Sequence, residues 1–247
     1  MAAAVLVNAL RIASEIIKNA AATVLPWRSK LDYYHDWQSY GEGVFAQHVE
    51  GLGDLGFSLA GKHVLEIGPG STLWAIYLCV ARGAATATAV DVCRNLLEDA
   101  SPSDALDRVR YMVPCTAERI DLPPSSVDLI FSHAVLEHVR APKLVVAEQW
   151  RLLSPGAYVS HQIDTRNHLD FSRPQDHHNI PEIVWRLMTW NRSAYTNRYT
   201  IEMWIDAFLS QGFDLVHAHE TASLEQPTKP DGGLFICAKK PADVDKP

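Results

Sequence analysis

Apolar and polar positions fall into short strand-like runs that alternate with helical ones, a pattern that predicts a mostly parallel sheet with crossover helices. Seven runs read as strands: His63 to Ile67, Thr86 to Asp91, Val109 to Pro114, Val127 to Phe131, Ala157 to Ile163, Phe213 to His219 and Leu234 to Ala238. Between the first two, STLWAIYLCVARG is apolar nearly all round and predicts a buried helix, capped by Ser71 or Thr72 and ended by Arg82 and Gly83. Pro142 suits the first turn of a second helix, KLVVAEQWRLL, which Ser154-Pro155-Gly156 turns into the next strand. Thr200 to Gln211 predicts a helix with Trp204, Ile205, Phe208 and Leu209 on one face and Gly212 as its stop. Only the tight Pro230 to Gly233 segment immediately precedes the last run, so the final two strands are expected to pair antiparallel.

Two stretches fall outside this alternation. Residues 164 to 200 are too many for a simple crossover and carry Trp185, Trp190, Tyr195 and Tyr199, as expected of a lid or substrate pocket at the end of a strand. At the other end, Ala2 to Leu25 is apolar, but Asn8, Arg11, Glu15, Lys18 and Asn19 interrupt it at helical spacing. A secretory signal or a spanning helix would lack those interruptions. An amphipathic helix is expected instead, packed on this protein or on a second copy, with a homodimer as one outcome. The division that follows is a helical cap over 1–60 and a main domain over 61–247, with the lid inserted at about 164–200.

The composition excludes several classes. The chain has 247 residues, 29 acidic against 22 basic, a net charge of -7, and 47% hydrophobic positions. Disorder is not expected, and the acidic balance argues against general nucleic-acid binding. Cys79, Cys93, Cys115 and Cys237 contain no C-x-x-C spacing, which suggests neither a zinc knuckle nor a disulfide framework and fits a reducing cytoplasm. No membrane association is expected.

The strongest local signal is HVLEIGPGSTLWAIYL: a short apolar strand, an acidic residue near its end, a tight glycine turn and a helix start. Gly68 and Gly70 let the backbone approach a ligand, and Pro69 stiffens the turn. At the carboxyl end of a strand in an open α/β sheet, this is where ligands sit. A dinucleotide fingerprint would need a small residue at Leu73, and a P-loop would need Gly-Lys-Ser or Gly-Lys-Thr. The Glu66 carboxylate suits a cationic ligand group better than a pyrophosphate.

From here four strings run in order: VLEIGPGST (64 to 72), TAVDVC (88 to 93), PCTAERIDLPPSSVDLIFSHAVLEHV (114 to 139) and EQWRLLSPGAYV (148 to 159). This set resembles the class I S-adenosylmethionine-dependent methyltransferases. The resemblance implies a Rossmann-like seven-stranded, mostly parallel sheet with helices on both faces and an antiparallel last strand. It also implies S-adenosyl-L-methionine as cofactor. By it, Glu66 and the backbone of Gly68, Pro69, Gly70 and Ser71 would hold the methionine part. Asp91, followed by Val92, would accept from the ribose hydroxyls. Thr116 and Ala117 would lie beside the adenine with Glu118 as a further contact, although the family often has Asp-Ala there. Ser132 and His133 would approach the reactive methyl.

Methyl transfer to a hydroxyl needs an aligned acceptor and a base, for which histidine is suited near neutral pH. Six of the 11 histidines fall between His133 and His178. His161 and Asp164, at the end of the fifth strand, are expected to form a base pair facing the methyl, with His133 as the next candidate. A core histidine and a turn-capping aspartate are the alternative for that pair. Asp164, His168, Asp170, Asp176, His177 and His178 contain enough ligands for a divalent ion, but their spacing matches no specific site, and no metal is expected. Tyr33, Tyr34, His35, Trp37 and Tyr40 form an aromatic segment that either closes over the cofactor or packs on the sheet edge. The expected acceptor is a small-molecule or glycan hydroxyl. N-methylation of a small amine, a nicotinamide oxidoreductase and a non-catalytic cofactor-binding scaffold are the competing readings.

Overall fold

Strands β1 (His63–Ile67), β2 (Thr86–Val90), β3 (Val109–Met112), β4 (Val127–His133), β5 (Leu153–Asp164), β6 (Asp214–Ala222) and β7 (Pro230–Lys239) form one sheet in the order β3-β2-β1-β4-β5-β7-β6. The computed structural model of the chain describes residues 2–22, 36–96, 106–191, 195–222 and 230–242. β1 to β5 are parallel, and β7 runs antiparallel between β5 and β6. The expected Rossmann-like α/β class is therefore the observed one. The Ser154-Pro155-Gly156 turn is absorbed into β5 as a bulge: Leu153 pairs with Val127 and Tyr158 with Leu129. The Pro230 to Gly233 segment likewise belongs to β7.

Both faces of the sheet are covered, which is why its strands read as apolar runs rather than as alternating ones. Helices α4 (Pro142–Leu152) and α6 (Ile201–Gln211) cover one face, where Val145, Val146, Trp204 and Phe208 pack on Leu65, Ile130, Val159 and Ile236. Helices α2 (Trp37–His48) and α3 (Trp74–Ala81) cover the other, packing Val44, Phe45, Ile76 and Val80 on Val64, Ala87, Leu129 and Phe131. Each of these buried Val, Leu, Ile and Phe side chains contributes about 1.5–3 kcal/mol. Pro142 occupies the first turn of α4, the Thr200 hydroxyl caps α6 by accepting from the Met203 amide, and Gly212 ends α6 in the left-handed region at φ 103°. Leu209, expected on the buried face of α6, is exposed.

α1 (Ala2–Ala22) packs against α5 (Glu182–Thr189), which lies in the long segment after β5. Arg11 on α1 reaches Asp170 at 2.9 Å, and the Asn19 side chain accepts from the Asn191 amide at 2.8 Å. Of the expected aromatic segment, Trp37 and Tyr40 lie on α2, while Tyr33, Tyr34 and His35 lie outside the described residues. No helix among the described residues is long and apolar enough to cross a membrane.

α2 crosses α3 at Gly41, where a Cβ would lie 2.2 Å from the Cβ of Trp74. Gly41→Val should therefore cost about 1–3 kcal/mol of stability by overpacking, read as a lower urea midpoint. An unchanged midpoint would mean that α2 is not seated on α3 in solution.

Candidate active site

The chain leaves β1 toward β2 and β3 but enters β4 and β5 on the other side, so the carboxyl ends of β1 and β4 flank a topological switch point, the usual ligand crevice of open α/β sheets. The loop after β1 is built for close approach. Gly68 has φ 70° and its amide donates to the Val90 carbonyl at 2.8 Å. A Cβ on Gly68 would lie 2.6 Å from Val135, so only glycine lets this loop meet the loop after β4. At Gly70, φ is 67° and a Cβ would meet nothing within 4 Å, so this part of the loop opens onto space. Ser71 and Thr72 are buried. Thr72 accepts from the Trp74 amide at 3.1 Å, one residue ahead of the Leu73 cap position.

Two carboxylates stand beside this loop. Glu66 is buried with Oε2 lacking a hydrogen-bond partner among the described residues, and burial, reinforced by the negative charge of Asp91, raises its pKa to about 8. Burial also raises the pKa of Asp91, opposed by hydrogen bonds from the Cys93, Gly70 and Val92 backbone. The Cys93 amide donates to Asp91 Oδ1 at 3.3 Å. Asp91 thus ties the turn after β2 to the glycine loop.

The expected adenine side has a different tenant. Ala117 is buried and Thr116 bridges to Arg119, but Glu118 Oε1 accepts from the Arg140 and Ala141 amides at 3.2 and 3.3 Å, closing the start of α4. Glu118 therefore holds protein backbone with that oxygen. The Val92 side chain is exposed.

The pairing of His161 with Asp164 does not occur. Side chains three apart on a strand point to opposite faces. His161 is fully buried on the α4/α6 side, stacked on Phe208 at 5.7 Å, with Nδ1 on Ser132 Oγ at 2.8 Å and Nε2 on Gln149 Oε1 at 2.9 Å. Neither nitrogen is left for a substrate, and burial lowers its pKa to about 3. Ser132, expected near the methyl, is engaged in the same buried pair. Asp164 is held by Arg166 through two contacts at 2.8 Å and lies 3.3 Å from His168, and hydrogen bonds from these two residues outweigh burial and lower its pKa. It is an ion-pair partner rather than a proton acceptor.

His133 is the candidate that the fold presents at the site. It ends β4, half-buried on the α2 side, with the Tyr40 ring edge-on at 6.0 Å. Its Nδ1 lies 3.2 Å from Nε2 of His48, and its Nε2 has no partner among the described residues. Burial lowers its pKa to about 4, so the ring is neutral at neutral pH. His48 is a residue that the strand and loop motifs do not reveal, because it sits on the last turn of a helix 85 positions away. The neighbouring Gln47 contacts Gln162 on β5 at 3.1 Å.

The segment after β5 closes on the turn after β4. The Asn197 amide donates to the Glu137 carbonyl at 2.8 Å and its side chain to the Leu136 carbonyl at 2.7 Å, while His138 Nδ1 donates to the Tyr195 carbonyl at 2.7 Å. Glu137 is buried, neither carboxylate oxygen has a hydrogen-bond partner among the described residues although His138 Nε2 lies 3.9 Å from Oε1, and burial holds its carboxyl well above the usual range. Among the described residues no group of three or more His, Cys, Asp or Glu is arranged to hold a metal ion. Asp170 and Asp176, counted among the possible ligands, face Arg11 and Arg173.

Comparison with known proteins shows what the chain is similar to. Residues 65–160 match the family described as "Methyltransferase domain". Similar solved structures include an S-adenosylmethionine-dependent methyltransferase from Mesorhizobium loti (17% identity, 81% of this chain and 100% of that one, TM-score 0.60) and one from Methanosarcina mazei (17%, 76% and 95%, TM-score 0.54). Phosphoethanolamine N-methyltransferase 2 of Haemonchus contortus, in complex with S-adenosyl-L-methionine, is 18% identical over 82% of this chain and 52% of its own length, with TM-score 0.55. No match is found among curated proteins. The fold is that of the class I, Rossmann-like methyltransferases.

The raised Glu66 carboxyl has a consequence for stability. A carboxyl that binds its proton more tightly when folded stabilises the protein fully below its unfolded pKa, and this contribution is lost as pH rises toward the folded value. Wild type should therefore lose stability relative to Glu66→Gln between about pH 5 and pH 8, by up to about 1.4 kcal/mol per pH unit. Urea denaturation across that range, without ligand, reads the difference. Parallel curves would mean that Glu66 ionises freely in the folded chain.

Proposed function

Taking as premise that the chain carries a class I S-adenosylmethionine-dependent methyltransferase domain, we propose that it is an enzyme that methylates a hydroxyl of a small molecule or glycan, with His133 as the general base. The residues present suit the cofactor. The unpartnered, buried Glu66 Oε2 is an acceptor in want of a donor, of the kind an ammonium group supplies, beside a loop whose Gly70 faces open space. Asp91 offers a second carboxylate to ribose hydroxyls. Thr116, Ala117 and Val92 would border the adenine. When bound, S-adenosylmethionine supplies an electrophilic methyl group to the acceptor.

The observation that carries the base assignment is that His133 Nε2, at the carboxyl end of β4 and beside the strand that leads into the glycine loop, has no partner among the described residues. Its low proton affinity is compatible with that role. An acceptor hydroxyl becomes strongly acidic as its oxygen gains a new carbon bond, so a weak base positioned at hydrogen-bond distance is sufficient to take the proton. Tyr40 of α2, edge-on to His133 and backed by Trp37, would help exclude water from that step.

A second reading, N-methylation of a small amine, is favoured by Glu137, whose buried carboxyl has no hydrogen-bond partner among the described residues and would take the proton of the acceptor's ammonium form, leaving the neutral lone pair that attacks the methyl. Such a reaction would not depend on His133.

Titration calorimetry with S-adenosylhomocysteine should show binding that Asp91→Ala weakens by roughly tenfold to a hundredfold, the scale of one or two hydrogen bonds to a charged group. Binding of NAD in its place would replace this reading with hydride transfer. In a screen of hydroxylated acceptors, His133→Gln should keep cofactor binding and lose roughly 10²- to 10⁴-fold in turnover. Turnover of an amine that His133→Gln leaves intact and Glu137→Gln abolishes would establish the second reading.

A further inference from the structure

His48 is fully buried, yet it is a polar side chain with both nitrogens directed at named partners. Its ring is stacked between Phe131 at 5.8 Å and Phe235 at 5.7 Å, with interplanar angles of 23° and 30°. Two aromatic faces leave the ring only rotation in its own plane, and the in-plane contacts fix that too: Nδ1 lies 2.9 Å from Ser160 Oγ and Nε2 lies 3.2 Å from Nδ1 of His133. The two imidazoles meet nearly edge to face, at 85° with centroids 5.5 Å apart. The three residues come from α2, β4 and β5 and converge on the α2 side of the sheet.

A neutral imidazole donates from one nitrogen and accepts at the other. His48 is held neutral by burial and by the neighbouring His133 and His161. The Ser160 hydroxyl can accept from Nδ1 or donate to it, so the contacts couple the two rings in either of two arrangements. In one, the proton of His48 lies on Nδ1, toward Ser160, and its Nε2 is an acceptor; among the described residues Nδ1 of His133 faces it and completes the contact as a donor, which places the proton of His133 on Nδ1 and the lone pair on Nε2.

We propose that His48 is a positioning residue that locks His133 in its Nδ1-protonated tautomer, with Ser160 holding His48 in the matching one, so that the lone pair of His133 Nε2 is presented at the carboxyl end of β4. This rests on the reading of His133 as base for its use, but not for its test. The opposite arrangement, with His48 donating to His133, would put the His133 proton on Nε2 and leave a hydrogen-bond donor where a base is needed.

The tautomers are read by ¹⁵N NMR of imidazole-labelled protein at neutral pH, with no acceptor present. In wild type, His133 should show its directly bonded proton on Nδ1 and an unprotonated Nε2, and His48 should show the same pattern. In His48→Phe, whose ring fits the same aromatic stack, the His133 proton should move to Nε2 in most molecules. Ser160→Ala, which keeps the His48 ring, should leave both histidines as mixtures. A wild-type His133 protonated on Nε2, or a His133 tautomer that neither variant changes, would overturn the assignment, even if His133 proved to be the base. Conversely, a locked tautomer in a protein that methylates no hydroxyl would sink the O-methylation reading and leave the lock standing. Should His48→Phe fail to fold, the wild-type spectrum and Ser160→Ala still decide the matter.

Discussion

A sheet buried on both faces has no neutral side, and the two-residue period of a strand assigns every side chain to one helical layer or the other. Here that constraint decides which polar residues reach the site. On β4 and β5, Ser132 and His161 go to the α4/α6 layer, where each satisfies the other and Gln149 takes the remaining nitrogen. Their neighbours His133 and Ser160 go to the α2 layer, where His48 joins them. Two histidine networks thus lie on either side of one sheet, a single residue apart in sequence. The one on the α2 side ends at His133 Nε2 at the carboxyl end of β4, whereas the other ends at Gln149, whose Nε2 is buried and has no hydrogen-bond partner among the described residues.

The second organising feature is how the carboxyl edge is kept open while being desolvated. Gly68 allows the loops after β1 and β4 to touch, and Asp91 ties the glycine loop to the turn after β2. That packing takes Glu66 out of water without giving its Oε2 a partner. An uncompensated buried carboxyl is costly, and it persists where binding repays it. The same edge is bounded by α2 on one side and by the segment after β5 on the other, whose Asn197 clamps the Leu136 to His138 turn. α1, seated on α5, extends that second boundary.

Much of this was legible in the chain. Apolar runs located all seven strands to within a few residues, and the glycine loop with its acidic neighbours marked the crevice, because both signals are local. What escaped was set by tertiary packing. The His161 and Asp164 pairing ignored strand parity, which a reading of types and spacing alone leaves out. Glu118 belongs to the start of α4, 22 positions away in sequence, and so carries no local mark of that use. His48 looked like any residue of an unremarkable helix, since its partners come from β4 and β5. Asn197, which holds the turn after β4, lies in the lid segment and has partners about 60 positions away, so nothing local marks that use.

The proposed binding of the adenosyl cofactor by the loops after β1 and β2, at one edge of the sheet, is open to amide hydrogen exchange with and without S-adenosylhomocysteine. Exchange should slow at Gly68 to Ser71 and at Asp91 to Cys93, with the β5 amides around His161 unaffected. Unchanged exchange in both loops, or protection there by NAD and not by S-adenosylhomocysteine, would contradict it.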